Sequence, residues 1–137
     1  AQYACRRGKS AFYQRVPRLG EELRIRHGNG TFGKWLIALA NTDVLLLDDW
    51  GMAALDSQTR ADLLEIIDDR AGNKATIITS QLPTEHWHAW IGDATIADAI
   101  LDRVMQNNHR FNLTGESLRP NSKSTAAGKE ALLLKSA

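Results

Sequence analysis

The chain has 137 residues, 43% apolar and 24% charged, with a formal net charge of +1, which is ordinary for one soluble domain able to bury a core. No apolar run approaches the ~18 residues of a membrane span, so no membrane partner is expected. A lone cysteine, Cys5, excludes an internal disulfide framework and suits a reducing cytoplasm, where packing is its expected role.

The chain opens Ala1-Gln2-Tyr3 without an initiator methionine or signal-peptide pattern, as a start inside a longer protein would. Residues 1–8 read as the end of a helix, with Arg6 and Arg7 in the last turn and Gly8 as its stop. Residues 10–16 read as a strand stopped by Pro17. Leu19, Leu23 and Ile25 suit a short helix, Gly28-Asn29-Gly30 breaks it, and Phe32, Trp35, Leu36 and Leu39 carry a second helix to about Ala40. Val44 to Leu47 is a continuous apolar run, the pattern of a strand covered on both faces. A helix follows from Asp56, with Leu63, Leu64, Ile66 and Ile67 as its buried stripe and Gly72 as its end. Residues 75–79 read as a second buried strand, 86–90 as a turn of helix, 93–105 as a longer helix and 110–114 as a final strand. Residues 1–120 form the expected domain; 121–137 read as a flexible tail, helical again near Glu130 to Leu134.

Alternating strands and helices with short links predict an α/β fold, a parallel sheet with helices on both faces. Ligands of such sheets sit at the carboxyl ends of the strands. There the sequence places Asp48-Asp49-Trp50-Gly51, straight after the apolar run. Adjacent carboxylates repel unless a cation or water compensates. Mg²⁺ prefers carboxylate oxygens, keeps several waters and binds beside substrate phosphates. This is the Walker B pattern of P-loop ATPases: Asp48 would hold the Mg²⁺ shell and Asp49 would polarise the attacking water. The plainer alternative is a turn capped by Asp49 beside a solvated Asp48. Gly8-Lys9-Ser10 is no phosphate-gripping loop, because the glycine such a loop needs five residues earlier is Tyr3, and Gly8 closes a helix instead of opening one.

Charge is unevenly spread. Residues 1–42 hold eight Lys/Arg against two acids, residues 43–102 hold three against twelve, and residues 103–137 hold six against two. Arg15, Arg18, Arg24, Arg26 and Lys34, with His27 and a glycine-rich tip, suit sequence-independent contacts with DNA phosphates, or else a solvated face. Thr79-Ser80-Gln81-Leu82-Pro83 ends the second buried strand and offers polar groups that could orient a water, or simply a turn. Arg103 could act across a subunit boundary or pair with Asp98 or Asp102. His86 and His88 are a weak zinc signal, and Trp87 and Trp90 suit packing.

Val44–Gly51, Thr79–Pro83, Ile100–Val104 and Gly115-Glu116-Ser117-Leu118-Arg119 together resemble the IstB family of AAA+ ATPases, similar to the DnaC helicase loader. The resemblance implies an ATP- and Mg²⁺-dependent P-loop NTPase fold of AAA+ type, incomplete on its N-terminal side. It implies a homo-oligomer on double-stranded DNA that helps a transposase, with a helicase loader or an inactive DNA-binding remnant as alternatives. Under it Asp48 and Asp49 look like Walker B, Gln81 like sensor 1 and Arg103 like a trans-acting finger, while Arg119 matches a recurring arginine of unassigned role. Asp49 stands where glutamate is usual and Gln81 where asparagine is. Residues 17–42 resemble a helical insertion that tracks DNA. The resemblance also places a Walker A strand between the strands expected at 75–79 and 110–114. Without it, a gap with unpaired backbone groups is expected there.

Overall fold

The computed structural model describes residues 2–106, 108–113 and 129–134; Gly115–Arg119, including Arg119, lies outside them. A short helix, α1 (Gln2–Arg6), ends at Gly8, whose φ of +74° suits glycine. Strand β1 (Ala11–Arg15) runs directly into α2 (Val16–Gly28). Pro17 does not terminate a strand. It sits in the first turn of α2, where its missing N–H forfeits no helical bond. Val16, Leu19 and Leu23 face inward, but Ile25 is 54% exposed: two residues after Leu23 it lies on the opposite side of the helix. Helix α3 (Phe32–Asn41) buries Trp35 and Leu39 as its spacing requires.

Strand β2 (Val44–Trp50) is longer than its apolar run and carries both acids within it. Helix α4 (Ser57–Arg70) starts at Asp56, whose side chain accepts the Thr59 N–H at 2.7 Å. Strand β3 (Ala75–Ser80) follows, then a 3₁₀ turn (Thr84–His86), α5 (Trp87–Ile91), α6 (Ala94–Met105) and β4 (Asn108–Leu113). The expected helix at Glu130–Leu134 is instead a strand, β5 (Lys129–Leu134), so residues assigned to the tail belong to the sheet. The run Ala131-Leu132-Leu133-Leu134 is too short to choose a helix by periodicity, and pairing on both sides decides for the strand.

The sheet order is β1-β2-β3-β5-β4. β1, β2 and β3 are parallel; β5 runs antiparallel to β3 and to β4, so the sheet is mostly, not wholly, parallel. The gap expected between β3 and β4 is therefore closed. β5 pairs Thr76 to Ser80 on one side and Asn108 to Leu113 on the other. Helices α2 to α6 lie in mutual contact and bury Leu45, Leu47 and Ile78 of the sheet. The alternate residues Val44, Leu46 and Ile77 are only half-buried, so one face of the apolar run is sealed better than the other. Cys5 is exposed and fills no core position.

Arg70 is buried at the seam of α3, α4 and β3. It donates to the Leu39, Thr42 and Ala75 carbonyls and to Thr76 Oγ1. Burial pulls its pKa down to about 10, which leaves it charged at neutral pH. It is the fastening that aligns the starts of β2 and β3.

Candidate functional site

The register fixes where the acids point. Leu47 pairs with Ile78 and Trp50 with Ser80, so β2 carries one residue more than β3 over that interval, a β-bulge. Asp49 sits on the bulge with φ of +58°, the left-handed region that aspartate tolerates better than most residues. Backbone strain of this kind costs roughly 1–3 kcal/mol and concentrates at functional sites. Without the bulge Asp48 and Asp49 would alternate to opposite faces of the sheet.

Asp48 is held by two hydroxyls. Tyr13 Oη donates to Oδ2 at 2.6 Å and Thr79 Oγ1 donates to Oδ1. The Asp48 hydrogen bond and burial hold the Tyr13 phenol above its ordinary pKa. Asp49 instead receives Arg15, whose Nε and Nη2 reach Oδ2 at 3.1 and 2.9 Å. That hydrogen bond, with the adjacent negative charge, raises the pKa of the guanidinium further. Parallel pairing of Arg15 with Asp48 puts Tyr13 and Arg15 on the face of the sheet that carries the acids.

The turn after β2 meets the turn after β3. Gly51 has φ of +88°, and a Cβ there would come within 2.8 Å of Leu82 Cβ, so only glycine fits. Ser80 Oγ donates to the Trp50 carbonyl at 2.5 Å and accepts the Leu82 N–H at 3.0 Å. Trp50 packs between Trp87 and Trp90, with ring centroids 5.4 and 5.0 Å away. The indole N–H groups of Trp87 and Trp90 tie down the Leu82 and Ala53 carbonyls. A cavity of about 240 Å³ opens here, lined by Asp49, Trp50, Gly51, Met52, Gln81 and Leu82. Clefts that enclose a whole ligand run to ~300–1,000 Å³, so this one admits part of a nucleotide or a water cluster.

The sequence-expected residues thus divide. Asp49 and Gln81 share the cavity, while Asp48 lies beside it, facing Tyr13 and Thr79 and not lining it. Arg103 pairs neither with Asp98 nor with Asp102: its Nε donates to Asp68 of α4 at 2.5 Å, and it bridges α4 and α6. Of the basic set, Arg15 turns to Asp49 instead of a surface for phosphates. Arg24 pairs with Asp56, and Arg26 pairs with Glu22 and lies over Trp35. Arg18 and Lys34 are exposed and make no ion pair among the described residues. His88 pairs with Asp98, and among the described residues no three ligating side chains gather for a metal. Sequence reasoning missed Tyr13 altogether and grouped Thr79 with side chains that could orient a water, whereas it donates to Asp48. The signal was present: hydroxyls two residues before Arg15 and two before Gln81, in the strands that flank β2.

Comparison with known proteins places this geometry in context. The family model for IstB-like ATP-binding proteins matches residues 1–126. An insertion-sequence ATP-binding protein of Sinorhizobium fredii is 52% identical over 118 residues, covering 86% of this chain and 48% of that protein. One of Pseudomonas fluorescens is 64% identical over 81 residues, covering 59% of this chain and 35% of the relative. The chain thus spans about half the length, or less, of these relatives. The crystal structure of a DNA replication initiation factor superposes with a TM-score of 0.57 at 16% identity, over 74% of this chain and 32% of that one, a likeness of fold.

Proposed function

Because the chain belongs to the IstB-like ATP-binding protein family, we propose that it supplies the metal-holding and water-polarising half of the nucleotide site in an ATP-dependent helper of DNA transposition. The observation that carries this is the bulge at the end of β2, which brings Asp49 to a cavity shared with Gln81 while Asp48 is steadied by two hydroxyls.

The donor set fits magnesium. Two carboxylates and no three-ligand cluster among the described residues suit an ion that keeps its waters and takes its remaining oxygens from phosphates. When bound, the ion neutralises charge on the phosphates. Asp48 would hold its hydration shell, with Tyr13 and Thr79 fixing the carboxylate. Asp49 would accept a proton from the attacking water once Arg15, whose Nε and Nη2 both occupy Oδ2, releases that oxygen. Gln81, which lines the same cavity as Asp49, would orient that water. Arg103 would serve a neighbouring copy only after leaving Asp68, at the modest cost of a partly exposed ion pair.

The exposed cations Arg18 and Lys34 support contact with double-stranded DNA through its phosphates, in the cytoplasm and in a homo-oligomer that engages a transposase. The insertion-sequence relatives favour transposition over helicase loading, for which only the shared fold speaks.

No Walker A loop stands within these 137 residues, so the chain alone is expected to bind ATP weakly and turn none over. The test is Mg²⁺-dependent phosphate release by the purified chain and by Asp49→Asn. Background rates in both agree with a half-site. Turnover by the parent that disappears in Asp49→Asn would show that these residues build a complete one.

A further inference from the structure

Helices α2 and α3 are joined by the short turn Asn29-Gly30-Thr31, in which Gly30 has φ of +75°. Two helices linked in this way form a helix-turn-helix unit, whose second helix can lie in the major groove of DNA while the first crosses the backbone. Here the turn is fastened. Asn29 Oδ1 accepts the Thr31 N–H at 3.1 Å and the Thr31 hydroxyl at 2.6 Å. His27 stacks on Phe32 with ring centroids 4.1 Å apart, and its Nε2 lies 2.8 Å from the buried carboxylate of Asp62 on α4. Trp35 and Leu39 anchor the inner side of α3 in the core. Its outer side carries Gly33, Lys34, Ile37, Ala38 and Asn41, all exposed. α3 contains no acidic residue, whereas α2 exposes Glu21 among its cations. Lys34, Ile37 and Asn41 recur at i, i+3 and i+7, a stripe that runs ~10 Å along the helix axis, about three base-pair steps. Ile37 is 64% exposed. Phosphate contacts account for Lys34 but not for the isoleucine one turn away.

Given the double-stranded DNA contact proposed above, on which this rests, we propose that α3 enters the major groove and that Ile37 reads thymine through its C5 methyl group. Thymine is the base that presents an apolar group in that groove, and an aliphatic side chain is its match. The partner is DNA, not an apolar pocket on a protein, because the charge is complementary to a polyanion. The α3 face holds a cation and no acid, and residues 1–42 hold eight Lys/Arg against two acids. Lys34 and Arg18 contact phosphates and set the register, which by itself carries no sequence information. Asn41, one turn beyond Ile37, is the side-chain type that pairs with adenine N6 and N7. The stripe therefore favours A·T pairs.

The experiment is fluorescence anisotropy of the full chain on two duplexes of alternating A·T pairs, roughly two helical turns long, at ~50 mM salt. One duplex contains thymine and the other deoxyuridine, which lacks the methyl group and keeps every hydrogen-bonding group and charge. The expected result is about fourfold tighter binding of the thymine duplex, the worth of one buried methyl group. Ile37→Ser, a change at an exposed position that leaves the core intact, should bind the two duplexes equally. A parent that binds both equally, with an affinity that falls in Lys34→Ala, keeps the DNA contact, leaves Ile37 to a protein partner and overturns the proposal. A thymine preference that persists undiminished in Ile37→Ser also overturns it, since the methyl group is then read elsewhere. Absence of salt-sensitive binding to either duplex fails the DNA contact itself, and the proposal with it.

Discussion

Gly51→Ala probes the joint on which the site is built. The new Cβ would adopt a left-handed φ of +88° and lie 2.8 Å from Leu82 Cβ and 2.9 Å from its Cδ2. The left-handed backbone costs about 1 kcal/mol for a residue with a side chain. Forcing a methyl into a packed contact costs a further ~1–3 kcal/mol. The expected loss is about 2–4 kcal/mol, a large share of the ~5–15 kcal/mol that holds a domain of this kind together. It should lower the melting temperature by roughly 10 °C. Urea unfolding followed by tryptophan fluorescence suits the measurement, since Trp50 is adjacent to the change. In a Leu82→Gly background the clash is gone and the same substitution should cost only ~1 kcal/mol. Equal costs in the two backgrounds would refute the close approach of the two turns.

Arg70→Met should destabilise the chain by ~3–5 kcal/mol in the same assay, because it strands buried carbonyls of Leu39, Thr42 and Ala75; a loss under ~1 kcal/mol would deny it that role. Asp43 accepts from the Ser10 N–H, Lys74 and the Ser10 hydroxyl, which lower its pKa from 3.8 to about 2. Its contribution is therefore present above the unfolded pKa and lost as pH falls from about 4 toward 2, so Asp43→Asn should flatten that part of the acid limb in urea midpoints taken across it. Arg18→Ala and Lys34→Ala should each weaken double-stranded DNA binding and reduce its salt slope by about 1 in a fluorescence-anisotropy titration. Arg15→Ala should leave that slope unchanged, its side chain being committed to Asp49.

The order of strands and helices as far as β4, the two acids at the carboxyl end of β2 and the inward stripes of α3 and α4 were legible in the chain. Their signals are local: apolar spacing, a capping aspartate, glycine stops. What depended on pairing was not. The bulge at Asp49 exists only relative to β3, and Tyr13 becomes a partner of Asp48 only once β1 is known to lie parallel beside β2 in that register. Arg15 reads as one more cation of a basic stretch until the same register turns it onto Asp49. β5 was misread because a short apolar run fits a helix or a strand equally well, and its neighbours β3 and β4 settle the matter from far away in sequence.

Whether a metal–nucleotide complex docks on the acids can be measured directly by electron paramagnetic resonance of Mn²⁺ titrated with ATP and the chain. The account predicts weak binding of the Mn²⁺–ATP complex that Asp48→Asn abolishes, with weaker binding also in Tyr13→Phe. Binding of equal strength in the parent and in Asp48→Asn would contradict it.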